Sequence, residues 1–259
     1  MPEEPAPAVA LHNITKRFAL SQDALAQTDP GRQDGRFFTA LDDVSFSLAS
    51  GGCTLICGAN GSGKSLLMAI IAGLEEPTSG SAQTAFLTGL IFQDPDSQIL
   101  GETPSEDIAF GPANLGLSKE EIEKRVAAAL EETGLTERAH YPARSLSGGE
   151  KRRLAVAGVL AMDAQIIIFD EPYANMDYHG VVQVNWIIKK LLGAGKTVII
   201  LTHELEKCLA LADRVIVLFK GRITFDGSAL CALQQELEAW GIRNPLRKPA
   251  LELGDLLWQ

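Results

Sequence analysis

The 259-residue sequence has no apolar run long enough to cross a membrane. A membrane-spanning helix needs about 20 apolar residues, whereas the longest runs here are IIIF (166–169), TVIIL (197–201) and RVIVLF (214–219). Short runs of this kind are typical of buried parallel strands. The start, MPEEPAPAVA, also lacks the basic and then apolar order of a signal peptide. The sequence therefore predicts a short flexible tail at its beginning.

The sequence also contains few cysteines, and its net charge is negative. Cys53 and Cys57 lie close together, but no second Cys/His pair completes a zinc site. We expect these two, with Cys208 and Cys231, to be buried free thiols in a reducing cytoplasm. The net charge of −10 argues against a general nucleic-acid binder, which would show a basic stripe. It is compatible with basic protein partners.

Strand and helix patterns alternate along most of the chain, which predicts an α/β fold with a mainly parallel sheet. A polar loop insertion is predicted at 21–36 because of its Pro-Gly and Asp-Gly signals. Residues 94–162 contain only helical patterns, which indicates an inserted α-helical subdomain. We predict one domain over 1–240 and a C-terminal tail over 241–259. The predicted strands are 9–18, 39–48, 52–58, 85–93, 165–170, 196–201 and 214–219, and the predicted helices are 64–74, 117–135, 150–162, 180–193, 204–212 and about 228–240.

The stretch GANGSGKS (58–65) fits the Walker A pattern of a P-loop, G-x-x-x-x-G-K-[ST]. Its glycines let backbone N–H groups turn toward phosphates, and the helix that follows adds a favourable dipole. Lys64 is expected to reach the β- and γ-phosphates of a nucleotide, and Ser65 to bind Mg²⁺. The candidate nucleotide-binding residues here are Gly58, Asn60, Gly61, Ser62, Gly63, Lys64, Ser65 and Leu66.

Acidic and polar residues follow the other apolar strands. In IIIFDEP (166–172) the strand delivers Asp170 to its carboxyl end, where ligands bind in open α/β sheets. Asp170 is a candidate Mg²⁺ ligand, and Glu171 is positioned to polarise an attacking water. Gln93 ends a predicted strand, and His203 comes just after the one at 196–201. We expect Gln93 to face Mg²⁺ and water, and His203 to sense a γ-phosphate.

A second glycine-rich helix start lies in RSLSGGEKRR (144–153). Ser147 and Glu150 have the spacing of a capping box, in which each side chain bonds the other's backbone N–H. The chain thus contains two helix starts that suit an anion, although the P-loop alone supplies a complete phosphate cradle.

The order of these motifs resembles the nucleotide-binding subunit of ABC transporters, from about residue 9 to 225. The resemblance implies a P-loop NTPase of the ABC ATPase type, with a small antiparallel β-region, that binds ATP and Mg²⁺. It implies that Gln93 is the Q-loop glutamine and His203 the switch histidine. Asp177 matches the D-loop, whereas Ala174 departs from it. The signature motif begins at Leu146, and its residues Ser147, Gly148, Gly149 and Glu150 would meet the ATP of a partner protomer.

An aromatic side chain that stacks on adenine should follow the first strand in this family. Phe18 in TKRF is the nearest match, and Phe37 and Phe38 remain alternatives because of the 21–36 insertion. A phenylalanine ring can stack on a base without a hydroxyl group.

The run FQDPDSQ…EDIAFGPANLGL within 89–117 looks like the ATPase of energy-coupling factor (ECF) transporters. In that group this segment forms a groove for the coupling helices of a membrane scaffold subunit, which works with a small substrate-binding membrane protein. The resemblance implies import of a vitamin or transition-metal ion, with the ATPase peripheral at the cytoplasmic face of the membrane. Only 13 residues (80–92), counted from the last glycine of PTSG, precede Gln93, which predicts a trimmed antiparallel β-region. The acidic candidates for arginines of a partner are Asp94, Asp96, Glu102, Glu106 and Asp107; a solvated acidic loop is the alternative.

Other ABC proteins and other P-loop enzymes explain the sequence less completely. A conventional ABC transporter ATPase remains an alternative to the ECF type. A soluble ABC protein acting on DNA or ribosomes is disfavoured, since about 80 residues separate Ser65 from Leu146 and there is one cassette. A P-loop kinase or GTPase would leave LSGGE unexplained. The partner ATPase, either a second copy or a related chain, is left open.

Overall fold

The computed structural model describes residues 6–20 and 37–246. The predicted loop insertion at 21–36, residues 1–5 of the predicted tail at the start and residues 247–259 of the predicted C-terminal tail lie outside the described residues. Within the described part of the chain, no helix combines the length and apolar character needed to span a membrane.

Strands and helices alternate as the sequence predicts, and the α/β class is confirmed. In chain order the elements are β1 (Val9–Ala19), β2 (Phe37–Leu48), β3 (Gly52–Cys57), α1 (Lys64–Ile71), β4 (Ser79–Thr84), β5 (Thr88–Ile91), α2 (Pro104–Asn114), α3 (Lys119–Thr133), α4 (Gly148–Ala161), β6 (Ile166–Asp170), α5 (Tyr178–Gly193), β7 (Thr197–Thr202), β8 (Arg214–Phe219), β9 (Arg222–Gly227) and α6 (Ala229–Ala232).

The chain forms two compact units. Unit 1 combines Met1–Ala49, Cys53–Gln83 and Leu201–Gln259, and unit 2 combines Ser50–Gly52 and Thr84–Ile200. No strand lies within 94–162, all of which is described. The predicted domain boundaries, including a separate helical subdomain, remain predictions.

Unit 1 contains antiparallel and parallel strand pairs. β1 lies between β2 and β4, and it pairs antiparallel with β2. β3 pairs in parallel with β8, and β8 pairs antiparallel with β9. Residues 53–57 of β3 and 215–218 of β8 are buried, which explains why both strands read as continuous apolar runs.

Unit 2 places three strands beside a helical core. β5 and β6 pair in parallel, with Leu90 opposite Ile168, and β6 also neighbours β7. Helices α2, α3 and α4 share one apolar cluster that includes Ile108, Leu130 and Leu154. Burial of these side chains holds together helices that are otherwise strongly polar, because apolar burial contributes about 25 cal/mol per Å².

Local signals fix the ends of α3. The Ser118 side chain accepts a hydrogen bond from the N–H of Glu121 at 3.3 Å, and Gly134 ends the helix in the left-handed region with φ 68°. Both ends were predicted from the sequence and are confirmed.

Two predicted helices are wrong, and two strands were not predicted. In place of a helix at 204–212 there are 3₁₀ turns at Leu205–Lys207 and Leu209–Leu211, because buried Cys208 adopts φ −144° between them. The helix predicted at 228–240 is reduced to α6 and a 3₁₀ turn at Leu237–Trp240. The residues of β4 are mostly exposed, those of β9 alternate between exposed and half-buried, and neither strand has an apolar run.

Three of the four free cysteines are buried as expected, but Cys231 is exposed, so that part of the prediction is wrong. Burial, and secondarily the charge of Asp213, raises the pKa of the Cys53 thiol from 9.0 to about 12. Asp213 also accepts the Cys53 N–H at 2.8 Å.

A maleimide should therefore label native Cys231 well before Cys53, as followed by peptide mass spectrometry. At pH 8 a thiol with a pKa of about 12 is ionised in only about one molecule in 10⁴, and the thiolate is the reactive form. Labelling of Cys53 should accelerate as the pH rises toward 12. Unfolding in urea is the control and should make both cysteines reactive; equal labelling rates in the native protein would contradict the assigned burial.

Candidate nucleotide site

Two glycines of the 58–65 loop, Gly58 and Gly63, leave no room for a side chain. A Cβ on Gly58 would lie 2.3 Å from the Leu218 carbonyl oxygen, and a Cβ on Gly63 would lie 2.7 Å from a Leu41 methyl group. Gly63 also has φ 106°, which favours glycine. The Ser62 carbonyl accepts the Gly221 N–H at 3.0 Å, which ties the loop to the turn between β8 and β9. The result is a tight, backbone-lined cradle.

Lys64 is held inside this cradle. The residue is only 6% exposed, and its Nζ donates to the carbonyl oxygens of Gly58 at 2.7 Å and Ala59 at 3.3 Å. The start of α1 has no side-chain cap and no acidic residue in its first turn. Among the described residues, the buried Ser62 Oγ has no hydrogen-bond partner. A buried ammonium, an uncapped helix start and an unsatisfied hydroxyl fit a phosphate group.

The aromatic candidates lie at the open end of the β1–β2 pair. Phe18 is opposite Phe38, so their rings share one face, whereas Phe37 is opposite Ala19. All three phenylalanines are about half exposed. The Lys16 ammonium lies 5.4 Å from the centre of the Phe18 ring. The choice among the three rings for adenine remains a prediction.

His203 follows the end of β7 in unit 1 and is exposed. The two residues before it, Leu201 and Thr202, are fully buried. The Thr202 hydroxyl accepts the Glu204 N–H at 3.0 Å, so the backbone turns sharply at the histidine. The end of a buried strand thus presents the His203 imidazole at the surface of its unit.

Asp170 ends β6 in unit 2, and Glu171 follows it, as the sequence predicts. Glu171 is buried and its backbone has φ 45°, in the left-handed region. For a residue other than glycine this conformation costs about 1–3 kcal/mol and tends to occur at functional sites. The backbone therefore turns at the residue that we assigned to water activation.

A series of tight turns connects Glu171 to α5. Buried Tyr173 donates its hydroxyl proton to Asn185 Oδ1 at 2.7 Å. Asp177 caps α5 by accepting the Gly180 N–H at 2.8 Å. Asp177 thus has a structural contact in addition to its predicted place in the D-loop, and Ala174 lies between the two anchored positions.

The predicted capping box at the start of α4 is confirmed. The Ser147 hydroxyl accepts the Glu150 N–H at 3.3 Å, and Glu150 Oε2 accepts the Ser147 N–H at 2.8 Å. Gly148 and Gly149 line a cavity of about 740 Å³ that Gln93 and Asp177 also line. Unit 2 therefore brings together residues of the predicted Q-loop, signature and D-loop.

Arg152 is a site-forming residue that the sequence analysis missed. It is 4% exposed, and its guanidinium donates to the Gln93 carbonyl oxygen at 3.0 Å and to the Pro172 carbonyl oxygen. Burial lowers the pKa of Arg152 from its usual value. A sequence signal existed, because Arg152 shares the helical spacing of buried Val156 and Val159. The side chain fastens α4 to the segments that follow β5 and β6.

The acidic residues of the 89–117 segment differ in their contacts. Asp94 accepts the Asp96 N–H at 3.1 Å, and Asp107 accepts the N–H groups of Leu100 and Gly101. Asp96 forms an ion pair with Lys151 at 2.5 Å. The remaining two carboxylates, those of Glu102 and Glu106, belong to exposed residues.

The residue types fit a magnesium ion that is bound together with a nucleotide. Within 6–20 and 37–246, no group of three or more His, Cys, Asp or Glu side chains is placed to hold a metal. Mg²⁺ commonly uses one or two carboxylates together with substrate phosphates. Asp170 offers one such carboxylate, and Ser65 and Gln93 offer a hydroxyl and an amide oxygen.

Arg152→Lys should lower the free energy of unfolding by about 1.5–3 kcal/mol, as measured by urea denaturation. The reason is that a single ammonium replaces a planar guanidinium that donates to two carbonyl groups. The matched control is Arg153→Lys on the same helix, where the arginine makes one long contact of 3.4 Å to Gln183. The control should change the stability by less than about 0.5 kcal/mol. Equal losses in both variants would show that Arg152 has no special role.

Comparison with known proteins agrees with this geometry. The family model described as "ABC transporter" matches residues 41–174. The ATP-binding protein EcfA of an energy-coupling factor transporter from Carboxydothermus hydrogenoformans is 39% identical over 221 residues, covering 80% of this chain and 82% of the relative.

Two solved structures have the same fold. CbiO1 from Clostridium perfringens, part of the ABC transporter complex CbiONQ, matches with a TM-score of 0.75 and 28% identity over 96% of both chains. The ATP-binding cassette MJ0796, solved as a dimer in a post-hydrolysis state with ADP and Pi, matches with a TM-score of 0.71 and 26% identity, covering 85% of this chain and 98% of that one. The chain therefore belongs to the ABC transporter family, as an ATP-hydrolysing subunit similar to those of energy-coupling factor transporters.

Proposed function

We propose that this chain powers the import of a micronutrient, a vitamin or a transition-metal ion, through an ECF-type transporter by ATP-driven dimer closure. The observation that carries the proposal is the difference between its two glycine-rich helix starts. The start of α1 contains buried Lys64 and no capping side chain. The start of α4 is capped by its own Glu150 and presents Ser147 and Gly148 at the surface. We assign the first to the chain's own ATP and the second to the ATP of a second copy.

Binding of ATP would begin at the phosphate loop. Lys64 would exchange the carbonyl oxygens that it now contacts for the β- and γ-phosphates, and Phe18 would stack on adenine. Ser65, Gln93 and Asp170 would hold Mg²⁺, which neutralises charge on the β- and γ-phosphates.

Hydrolysis would use the carboxylate of Glu171. Glu171 would orient a water molecule and accept its proton as the oxygen attacks the γ-phosphorus and the bond to the bridging oxygen of ADP breaks, which gives ADP and phosphate. His203 would hydrogen-bond the γ-phosphate, and the Gly148 and Gly149 N–H groups of the second copy would stabilise its charge. Departure of the products removes the anion that both copies contact, so the dimer would reopen.

The surface of the 89–117 segment supports a membrane scaffold as the partner. Leu100 is 68% exposed, and Phe110 and Leu115 are about half exposed. These apolar side chains accompany the exposed carboxylates of Glu102 and Glu106. Such a mixed surface suits coupling helices that carry both apolar side chains and arginines. The names of EcfA and of the CbiONQ complex support the same assignment, with a small substrate-binding membrane protein as a further partner.

Glu171→Gln should slow ATP hydrolysis by about 10²–10⁴-fold, because the amide cannot accept the proton of the attacking water. Since ATP binding does not need that proton transfer, an ATP-bound dimer should accumulate, detectable by light scattering after size-exclusion chromatography. A near-wild-type rate would remove Glu171 from the proposed mechanism.

Ser147→Arg should prevent the ATP-bound dimer from forming, in contrast to Glu171→Gln, which should make it accumulate. The bulky cation would block the start of α4, so ATP-driven dimerisation should be lost while the monomer keeps its nucleotide affinity. A fluorescent ATP analogue measures the affinity, and light scattering measures the dimer. Loss of monomer binding with dimerisation retained would refute the assignment of the two helix starts.

A further inference from the structure

A negative charge lies at the helix start to which we assign the phosphate of the second copy. Glu150 Oε2 accepts both the Ser147 N–H and the Ser147 hydroxyl proton, each at 2.8 Å. A glutamine at this position closes a capping box as well as a glutamate does. The cap therefore does not explain why the side chain is charged.

The carboxylate opposes the binding of an anion. The two hydrogen bonds from Ser147, and then Arg138, lower the pKa of Glu150, so it is ionised at neutral pH. Its charge lies within a hydrogen bond of the hydroxyl that would meet the γ-phosphate. Like charges at such short range repel, and the carboxylate also offsets the positive end of the α4 dipole.

Arg138 supplies the compensating charge. Its Nε donates to Glu150 Oε1 at 3.1 Å. The guanidinium carbon lies 4.7 Å from the centre of the Tyr141 ring, and the Arg138 carbonyl accepts the Tyr141 N–H at 3.0 Å. A 3₁₀ turn, Thr136–Arg138, holds the backbone. The cation is thus fixed beside Glu150 before any nucleotide arrives.

We propose that Arg138 is a positioning residue for the phosphate-receiving start of α4. It neutralises Glu150 and holds that carboxylate on Ser147, so that the phosphate of the second copy meets a helix start without net negative charge. The proposal rests on the proposed function, because it requires that α4 receive an ATP bound by another copy.

The test is a double-mutant cycle in a Glu171→Gln background, with the ATP concentration for half-maximal dimerisation measured by light scattering. Arg138→Gln should raise that concentration about three- to fivefold, in the upper range for a partly exposed ion pair. Arg138→Lys keeps the charge and should stay within about twofold. With Glu150→Gln also present, Arg138→Gln should have almost no effect, since no carboxylate remains to be neutralised.

The outcomes separate this proposal from the one on which it rests. One contrary outcome is that Arg138→Gln shifts the ATP concentration for half-maximal dimerisation equally with and without Glu150→Gln, and another is that it shifts it in neither background. Either result would overturn the role of Arg138 and leave the proposed function standing. Failure of the Glu171→Gln parent to dimerise while it still binds ATP would overturn the proposed function, and the role of Arg138 with it. Thermal unfolding midpoints of all variants report whether a shift reflects folding.

Discussion

The buried guanidinium of Arg152 is the interaction on which the arrangement of the site residues in unit 2 depends. A charge in a protein interior is tolerated only where hydrogen bonds replace its hydration. Here the acceptors are the carbonyl oxygens of Gln93 and Pro172, which follow two different strands. The start of α4 cannot shift without breaking one of these bonds. Ser147, Gln93 and the segment after Glu171 are therefore held in register with one another.

The two glycine-rich helix starts differ in their charge: the start of α1 carries an excess of positive charge, whereas the start of α4 is capped by a carboxylate. The positive end of the α1 dipole has no side-chain cap and lies beside the Lys64 ammonium, so the loop favours the binding of a negatively charged phosphate. The start of α4 is satisfied within the chain by Ser147 and Glu150. A self-satisfied helix start suits a surface that remains exposed until a second molecule arrives. The closed capping box and the open phosphate loop are consistent with ATP-driven pairing of two copies.

Much of the site could be predicted because its signals are local. The phosphate loop, the acidic end of β6, the serine cap of α3 and the capping box of α4 are patterns within a few residues of the chain. The contacts of Arg152 are different, since its partner Gln93 is 59 residues away and is contacted through its backbone. The 3₁₀ turns around Cys208 and the polar strand β4 also escaped prediction, because tertiary packing rather than local propensity fixes them.

We propose that each ATP is held between the phosphate loop of one copy and the α4 start of another. Mixing two variants that cannot dimerise alone, Lys64→Ala and Ser147→Arg, tests it directly. A mixed pair would contain one site with both parts intact, so native mass spectrometry with ATP should detect a mixed dimer that retains one nucleotide. If the mixture stayed monomeric while the wild-type protein dimerised, the two parts would not act across copies, and the account would be contradicted.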